Sequence, residues 1–330
     1  MRMRIHRSLP RSLFVIFLAS VFPLVAACFP KDDNSSVPIR LGVLAFGTLN
    51  WEISVIRDAK LDKAHGVAIE PVPLAGADAG KIGLQGGRLD MIVGDWIWVA
   101  RQRERGMSFV FRPYSTSHGA LIVPGDSLIR GVADLKGRRL GIAGGGLDKN
   151  WLLLRALARK TDGLDLDRDM EKVFGAPPLL DQQLRQGKLD AVLIYWNYAA
   201  KLEAQGYRKI LDGRGILQGL GIKADVPALG YIFREDWAKS NAATLAGFFA
   251  AADEAKNRIC DSDEIWRKVI PLTRETNREI QAALRRQYCA GRVTAFGEAE
   301  REAAGEIFGL INGADSGAGL PEGVFWPRFP

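Results

Sequence analysis

The sequence has little with which to do covalent or metal chemistry. Its 330 residues hold three cysteines and three histidines. His6 and Cys28 lie at the start of the chain, and Cys260, Cys289, His65 and His118 are scattered. No HExxH, CxxC or GxSxG occurs, so zinc catalysis and an activated nucleophile find no support. GxGxxG and a GKS or GKT ending are missing too, which excludes a nucleotide-phosphate loop. No repeat with a period of roughly 20–50 residues is visible, which excludes a solenoid. No cofactor, no metal and no catalytic residue are expected.

The composition is that of a globular protein: 47% hydrophobic and 25% charged. The length suits two ordinary domains. The first 27 residues stand apart. Arg2, Arg4, Arg7 and Arg11 form a basic head without acids. An apolar run over 13–27 follows, too short to span a bilayer comfortably. This reads as an export signal over 1–27. It ends in small residues before Cys28, as a bacterial lipobox does, so Cys28 is expected to carry the lipid and 28–36 to form a tether. The alternative is ordinary cleavage after an alanine, with Cys28 incidental. Removing four arginines and no acids lowers the formal charge from +7 to +3, and a nucleic-acid partner loses its main support. In an exported protein Cys260 and Cys289 are either a disulfide closing a loop of about 30 residues or two buried thiols.

What the chain does have is a repeat at an offset of one hundred. Residues 84–96 read LQGGRLDMIVGDW and residues 184–196 read LRQGKLDAVLIYW. Upstream, 42–51 (GVLAFGTLNW) echoes 141–151 (GIAGGGLDKNW). Each copy is a strand, a Gly-bearing turn, a helix, and a second strand ending on an aromatic. Strands are expected at 39–44, 67–72, 89–93, 109–111, 120–123, 191–194 and 209–211, with helices at 50–64, 77–85, 99–105, 148–160 and 178–186. Residues 112–119 (RPYSTSHG) and 227–233 (PALGYIF) look like two crossings between halves. From 236 onward helices predominate, over 242–258, 275–288 and 298–310. The Gly- and Pro-rich end from 312 is expected to be irregular.

The expected fold is therefore α/β, two lobes that are each an open sheet, joined by two crossing segments. Lobe 1 is expected over 37–116 and 229–330, and lobe 2 over 117–228. Open α/β sheets bind ligands at the carboxyl ends of their strands, and two such ends face to face make a cleft. A pair of crossings permits hinge closure.

This combination resembles the periplasmic substrate-binding proteins of bacterial ABC importers, of the nitrate/sulfonate/taurine type, whose relatives include binders of thiamine precursors. The matching residues are the GxxD runs at 87–90 and 187–190, the run DLKGRRLGI at 134–142, and the lipoprotein-like signal. The resemblance spans most of 37–238. It implies a type II periplasmic-binding-protein fold, a small molecule trapped between lobes, and delivery to an ABC permease in the inner membrane. It also implies a monomer held at the cell envelope by its lipid, and no enzymatic activity. The resemblance reaches pyrimidine-synthesising proteins of thiamine biosynthesis, which use histidine and a Cys-rich segment around iron; the scattered Cys and His here do not reproduce it. A third reading is an accessory envelope protein of the same fold serving a periplasmic enzyme.

The repeat nominates the cleft residues. The first turn of lobe 1 offers Phe46, Asn50 and Trp51; Trp51 serves equally well as a packing staple on its helix. The equivalent turn of lobe 2 offers Gly145, Gly146 and Asp148. Its glycines allow close backbone approach, and Asp148 suits a helix N-cap better than a ligand contact. The third strands end on Asp95–Trp96 and Tyr195–Trp196, aromatics able to sandwich a flat or cationic ligand. If the first of these strands continues, Trp98 shares a side with Trp96. The crossings add Ser117, His118 and Tyr231. Arg112 is the one arginine at a predicted strand end. The acids Glu52, Asp95 and Asp148 tilt the expectation toward a neutral or cationic, partly aromatic ligand rather than an anion.

Overall fold

A computed structural model describes residues 37–312 and 319–327. Cys28 and the predicted signal lie outside them. The first half begins with β1 (Ile39–Leu44), α1 (Leu49–Asp58), α2 (Leu61–Ala64), β2 (Ile69–Leu74) and α3 (Ala77–Gln85). It continues through β3 (Met91–Gly94), α4 (Trp96–Glu104) and β4 (Phe109–Ser115). The chain then crosses over. The second half holds β5 (Ala120–Val123), β6 (Arg139–Ala143), α5 (Lys149–Asp162), β7 (Glu171–Gly175) and α6 (Pro177–Arg185). After these come β8 (Ala191–Ile194), α7 (Trp196–Glu203), β9 (Arg208–Asp212) and α8 (Gly213–Leu220). A second crossing returns to β10 (Leu229–Arg234). Five helices follow: α9 (Glu235–Ser240), α10 (Ala242–Asp261), α11 (Asp263–Thr273), α12 (Arg278–Ala290) and α13 (Glu298–Asn312).

The two sheets have the same plan. One runs β2-β1-β3-β10-β4 and the other β7-β6-β8-β5-β9, with the fourth strand antiparallel to both neighbours in each. In each case that reversed strand belongs to a crossing, so the chain passes between the lobes twice. Ala228 N–H donates to the Ser115 carbonyl at 2.8 Å, which ties the two crossings together.

The repeat has a packing reason. Leu89 and Leu189 are buried, and each fills the space a side chain would take on the neighbouring strand. A Cβ at Gly42 would lie 2.9 Å from Leu89 Cδ1, and one at Gly141 would lie 2.6 Å from Leu189 Cδ1. The following aspartates clamp the opposite strand. Asp90 accepts from Arg40 N and Nε at 2.8 and 2.9 Å, and Asp190 accepts from Arg139 N and Nε at 2.8 and 3.1 Å. Gly87 and Gly187 adopt φ of +68° and +67°, which glycine enters without steric cost. The GxxD runs are thus structural.

Three expectations are corrected. The helix over 50–64 breaks at Lys60, whose φ is +54°, into α1 and α2. The strand at 109–111 continues to Ser115 and absorbs half of the predicted crossing. Residues 96 and 196 do not end strands: α4 and α7 begin at Trp96 and Trp196, with Asp95 capping the first by accepting from Trp98 N–H at 2.8 Å, so the chain turns helical at each tryptophan. The irregular segment 319–327 lies along the outer edge of β4, where Phe111 N–H donates to the Val324 carbonyl and Trp326 N–H to the Phe111 carbonyl, both at 2.8 Å. An unpaired sheet edge is thereby covered. Among the described residues no helix is long and apolar enough to cross a membrane.

Candidate functional site

A cavity of about 220 Å³ lies where the carboxyl ends of the two sheets meet. Of the predicted residues, Asp95, Ser117, Gly145, Gly146, Asp148, Tyr195 and Trp196 line it. They arrive from both lobes and from the first crossing.

The other nominated residues lie elsewhere, each for a local reason. Asn50 directs its amide at the Leu44 and Gly47 carbonyls, 2.8 and 2.7 Å away, and so holds the turn together. Phe46 stands outside the wall, its carbonyl accepting from Asn197 Nδ2 of the other lobe at 3.4 Å. Trp51 is buried among Trp196, Trp266 and Tyr288. Trp96 turns away from the cleft against Phe325, centroids 6.1 Å apart. Trp98 packs on Phe109, not beside a ligand site. Tyr231 is buried under the cavity floor with its hydroxyl 3.3 Å from Glu52 Oε2. His118 packs against the start of α8, where a Cβ on Gly213 would stand 2.4 Å from its own Cβ. Neither ring nitrogen finds a hydrogen-bond partner among the described residues. Burial first, and then the Lys149 charge, lower its pKa to about 3, so the ring is a neutral plug at the crossing. Arg112 pairs with Asp253 at 2.8 Å and lies over the Phe249 ring. Cys260 and Cys289 form a disulfide between α10 and α12.

The sequence reading overlooked the end of β2. It leads into α3, which contributes Asp78 and Lys81, a pair 3.3 Å apart, to the cavity. The rule about strand ends, applied to that strand, would have found them. Lys149 and Asn150 on α5 and Tyr114 on β4 were also overlooked.

The electrostatics divide into a floor and a wall. Beneath the floor, Glu52 is fully buried. It accepts from Tyr114 Oη at 2.6 Å and from the hydroxyls of Tyr288 and Tyr231, with Lys256 Nζ 3.8 Å away. Lys256 also donates to the Tyr114 carbonyl at 2.6 Å. A buried carboxylate is tolerable when hydrogen-bonded and paired in this way. Glu52, counted among cleft acids from the sequence, is hence a support for Tyr114 and not a ligand contact. On the wall, Asp148 caps α5 and accepts from Asn150 N–H at 2.9 Å. Burial raises its pKa above the ordinary carboxylate range, and the charge of Asp95 adds to this. The Tyr195 phenol is pushed up by burial first, then by Asp148 and Asp95. Asp95, Asp148 and Tyr195 therefore form one electrostatic group across the gap. Among the described residues no cluster of His, Cys, Asp and Glu is arranged to hold a metal ion.

Comparison with known proteins agrees with this architecture. The alkanesulfonate-binding protein SsuA from Xanthomonas axonopodis pv. citri, bound to MOPS, is 18% identical; the match covers 88% of this chain and 98% of that one, with a TM-score of 0.65. The periplasmic aliphatic sulphonate binding protein SsuA from Escherichia coli is 19% identical, covering 84% and 87%, with a TM-score of 0.66. The periplasmic nitrate-binding protein NrtA from Synechocystis PCC 6803 is 13% identical, covering 73% and 66%, with a TM-score of 0.57. These similarities establish the periplasmic-binding-protein fold. No curated protein matches the chain. The family described as NMT1/THI5 like matches residues 85–263, more than half of the sequence, and the chain belongs to that family.

Proposed function

We propose that the protein is the solute-binding component of an ABC importer, trapping a small molecule between its lobes by hinge closure. The observation that carries this is the cavity itself. It is walled by both sheets at their carboxyl ends, with the two crossings beside it, so a molecule inside contacts both lobes and favours the arrangement that encloses it. The three matched structures named above are sulfonate- and nitrate-binding proteins, which supports a binding role over an enzymatic one.

In this reading residues 1–27 direct export, Cys28 carries a lipid, 28–36 tether the monomer to the envelope, and a permease receives the ligand. The lobes divide at 116/117 and 228/229. The volume lies below the roughly 300–1,000 Å³ of pockets that hold drug-sized ligands, which suits a small solute. The test is native mass spectrometry of protein purified from its host, with a thermal-shift screen of small metabolites. A co-purified molecule, or a stabilisation growing with ligand concentration as mass action requires, supports the proposal. Absence of both overturns it.

A further inference from the structure

Each crossing is anchored at both ends, and the length between the anchors is short. On the first crossing Ser115 forms an antiparallel bridge with Arg292, and Thr116 N–H donates to the Gly291 carbonyl at 2.9 Å. Ser117 Oγ donates to the Gln287 carbonyl at 3.4 Å. These partners lie on α12 and just past its end. The disulfide to α10 and the Tyr288 bond to Glu52 fix α12 to lobe 1. At the next residue the attachments change lobe. His118 packs on Gly213 at the start of α8, and the Gly119 carbonyl accepts from Gly213 N–H at 3.0 Å. Ala120 then enters the second sheet between Ile194 and Asp212.

The second crossing changes lobe in the same way. Asp225 pairs with Arg214 of α8, and the Val226 backbone acts on the His118 ring. Both contacts belong to lobe 2. Ala228 N–H donates to the Ser115 carbonyl at 2.8 Å, on the lobe 1 side. Between them lies Pro227. Its ring fixes φ at about −65° and biases Val226 toward an extended backbone, so this strand keeps little freedom besides the ψ of Pro227.

Gly291 is what lets the first crossing lie so close to α12. A Cβ there would stand 2.0 Å from Ser117 Oγ, 2.9 Å from Ser115 Oγ and 3.2 Å from Ser117 Cβ. The two hydroxyls could turn aside only by leaving the Gln287 carbonyl and the Ser117 N–H, which Ser115 Oγ accepts at 3.1 Å. The φ of Gly291 is −82°, open to any residue, so the demand for glycine is steric. Ser117 and Gly119, on either side of the change of lobe, both line the cavity. A molecule inside therefore touches each half beside the point where they part.

Resting on the reading that the lobes close on a ligand, we propose that they pivot at the Ser117–His118 link and at Pro227, and that Gly291, acting through Ser117, is the positioning residue that sets the resting angle. The two pivots lie side by side, since His118 meets Val226 and Ser115 meets Ala228. A few loop residues that absorb the backbone rotation are enough for hinge closure.

The experiment measures the distance between spin labels at Ile82→Cys on α3 and Leu179→Cys on α6, exposed positions in the two lobes, by pulsed double electron–electron resonance. The disulfide keeps Cys260 and Cys289 from the label, and Cys28→Ser is carried in every protein. Gly291→Ala should displace the mean distance by more than about 2 Å, the scale of a domain rearrangement. Adding Ser117→Ala should reverse most of that displacement. Pro227→Gly should broaden the distribution. Gly305→Ala, at a glycine with open space around it, is the control and should match the wild type. Cooperative melting of each variant separates a moved pivot from a damaged fold; should Gly291→Ala not fold, Pro227→Gly decides. A wild-type distribution in Gly291→Ala or in Pro227→Gly, or a displacement that Ser117→Ala does not reverse, overturns the pivot. A molecule still co-purifying in the native mass spectrum then leaves the importer reading standing, and none overturns both.

Discussion

Trp196 of one lobe stands edge-on to Trp51 of the other, ring centroids 6.3 Å apart and planes at 86°. Tyr288 completes the contact at 6.3 Å from Trp196 and 5.4 Å from Trp51. Trp196 also lines the cavity, so one side chain serves both the ligand space and the joint between lobes. It opens α7, which packs on α12, and Lys201 on the same helix pairs with Glu275 at 2.9 Å.

The Trp196→Ala variant should therefore lose affinity for the co-purified ligand through the joint as well as the wall. Aromatic pairs contribute about 0.5–1.5 kcal/mol each beyond area burial. Two such pairs lost correspond to a dissociation constant weaker by about five- to 150-fold. Calorimetric titration measures it, and Trp196→Phe should recover part of the loss. Unchanged affinity in Trp196→Ala would show that the joint plays no part in holding ligand.

The phenols around Glu52 make an alkaline prediction. Tyr114, Tyr231 and Tyr288 are held well above their ordinary pKa of 10, first by burial and then by the Glu52 charge. Below pH 10 both the folded and unfolded chains keep these protons. Above it the unfolded chain releases them and the folded chain does not. Stability conferred by the shift is thus full below pH 10 and lost as pH rises. Each phenol costs about 1.4 kcal/mol per pH unit, so the three together cost about 4 kcal/mol per unit. Urea unfolding at pH 9.5, 10.5 and 11 measures the slope, to which the raised Tyr195 and Tyr198 phenols add their own share, and Tyr231→Phe should reduce it by about 1.4 kcal/mol per pH unit. A flat profile over that range would contradict the buried network.

The repeat was legible because packing forces its residues. Leu89 over Gly42 and Leu189 over Gly141 leave the same mark at the same spacing, and the aspartates that clamp Arg40 and Arg139 follow each leucine. The doubled sheet and the cleft at its strand ends followed from that. What escaped was set by partners distant in sequence or by a single cap. Glu52 meets phenols 62, 179 and 236 residues away, a separation no local pattern records. At residue 95 one N-cap hydrogen bond starts a helix at once, and Trp96 packs against Phe325 from the far end of the chain. In the second lobe Tyr195 occupies the matching position without a side-chain cap, and there Trp196 does reach the cavity.

The disulfide joins the ends of α10 and α12 across a separation of 29 residues. Loop closure of that length removes chain entropy from the unfolded state worth about 3.6 kcal/mol. The Cys260→Ser/Cys289→Ser double variant should unfold at lower urea by that amount, and added reductant should bring the wild type to the same midpoint. Tyr288 neighbours Cys289, so the double variant should also weaken ligand binding modestly. A midpoint indifferent to reductant would mean that the bond adds no constraint.

His118 gives the complementary acid prediction. Its ring nitrogens make no well-formed hydrogen bond among the described residues; the ring faces the charges of Lys149, Asp212 and Arg214, and the Val226 backbone acts on it in the opposite sense to burial. Burial, with Lys149 second, lowers its pKa to about 3 against the ordinary 6.5. In the unfolded chain the ring takes up a proton below pH 6.5; in the folded chain it stays neutral to about pH 3. The associated stability is full above pH 6.5 and drains as pH falls toward 3, by about 1.4 kcal/mol per unit. Between pH 6.5 and 4.5 the loss is about 3 kcal/mol. Asp148, whose pKa is raised by burial, shifts stability in the opposite sense as it protonates, so the wild-type curve alone mixes the two. His118→Gln removes only the histidine's share. Urea unfolding of the variant should therefore show an acid slope shallower by about 1.4 kcal/mol per pH unit. Parallel slopes in the two proteins would place the imidazole in contact with water and end its role as a neutral plug between the first crossing and α8.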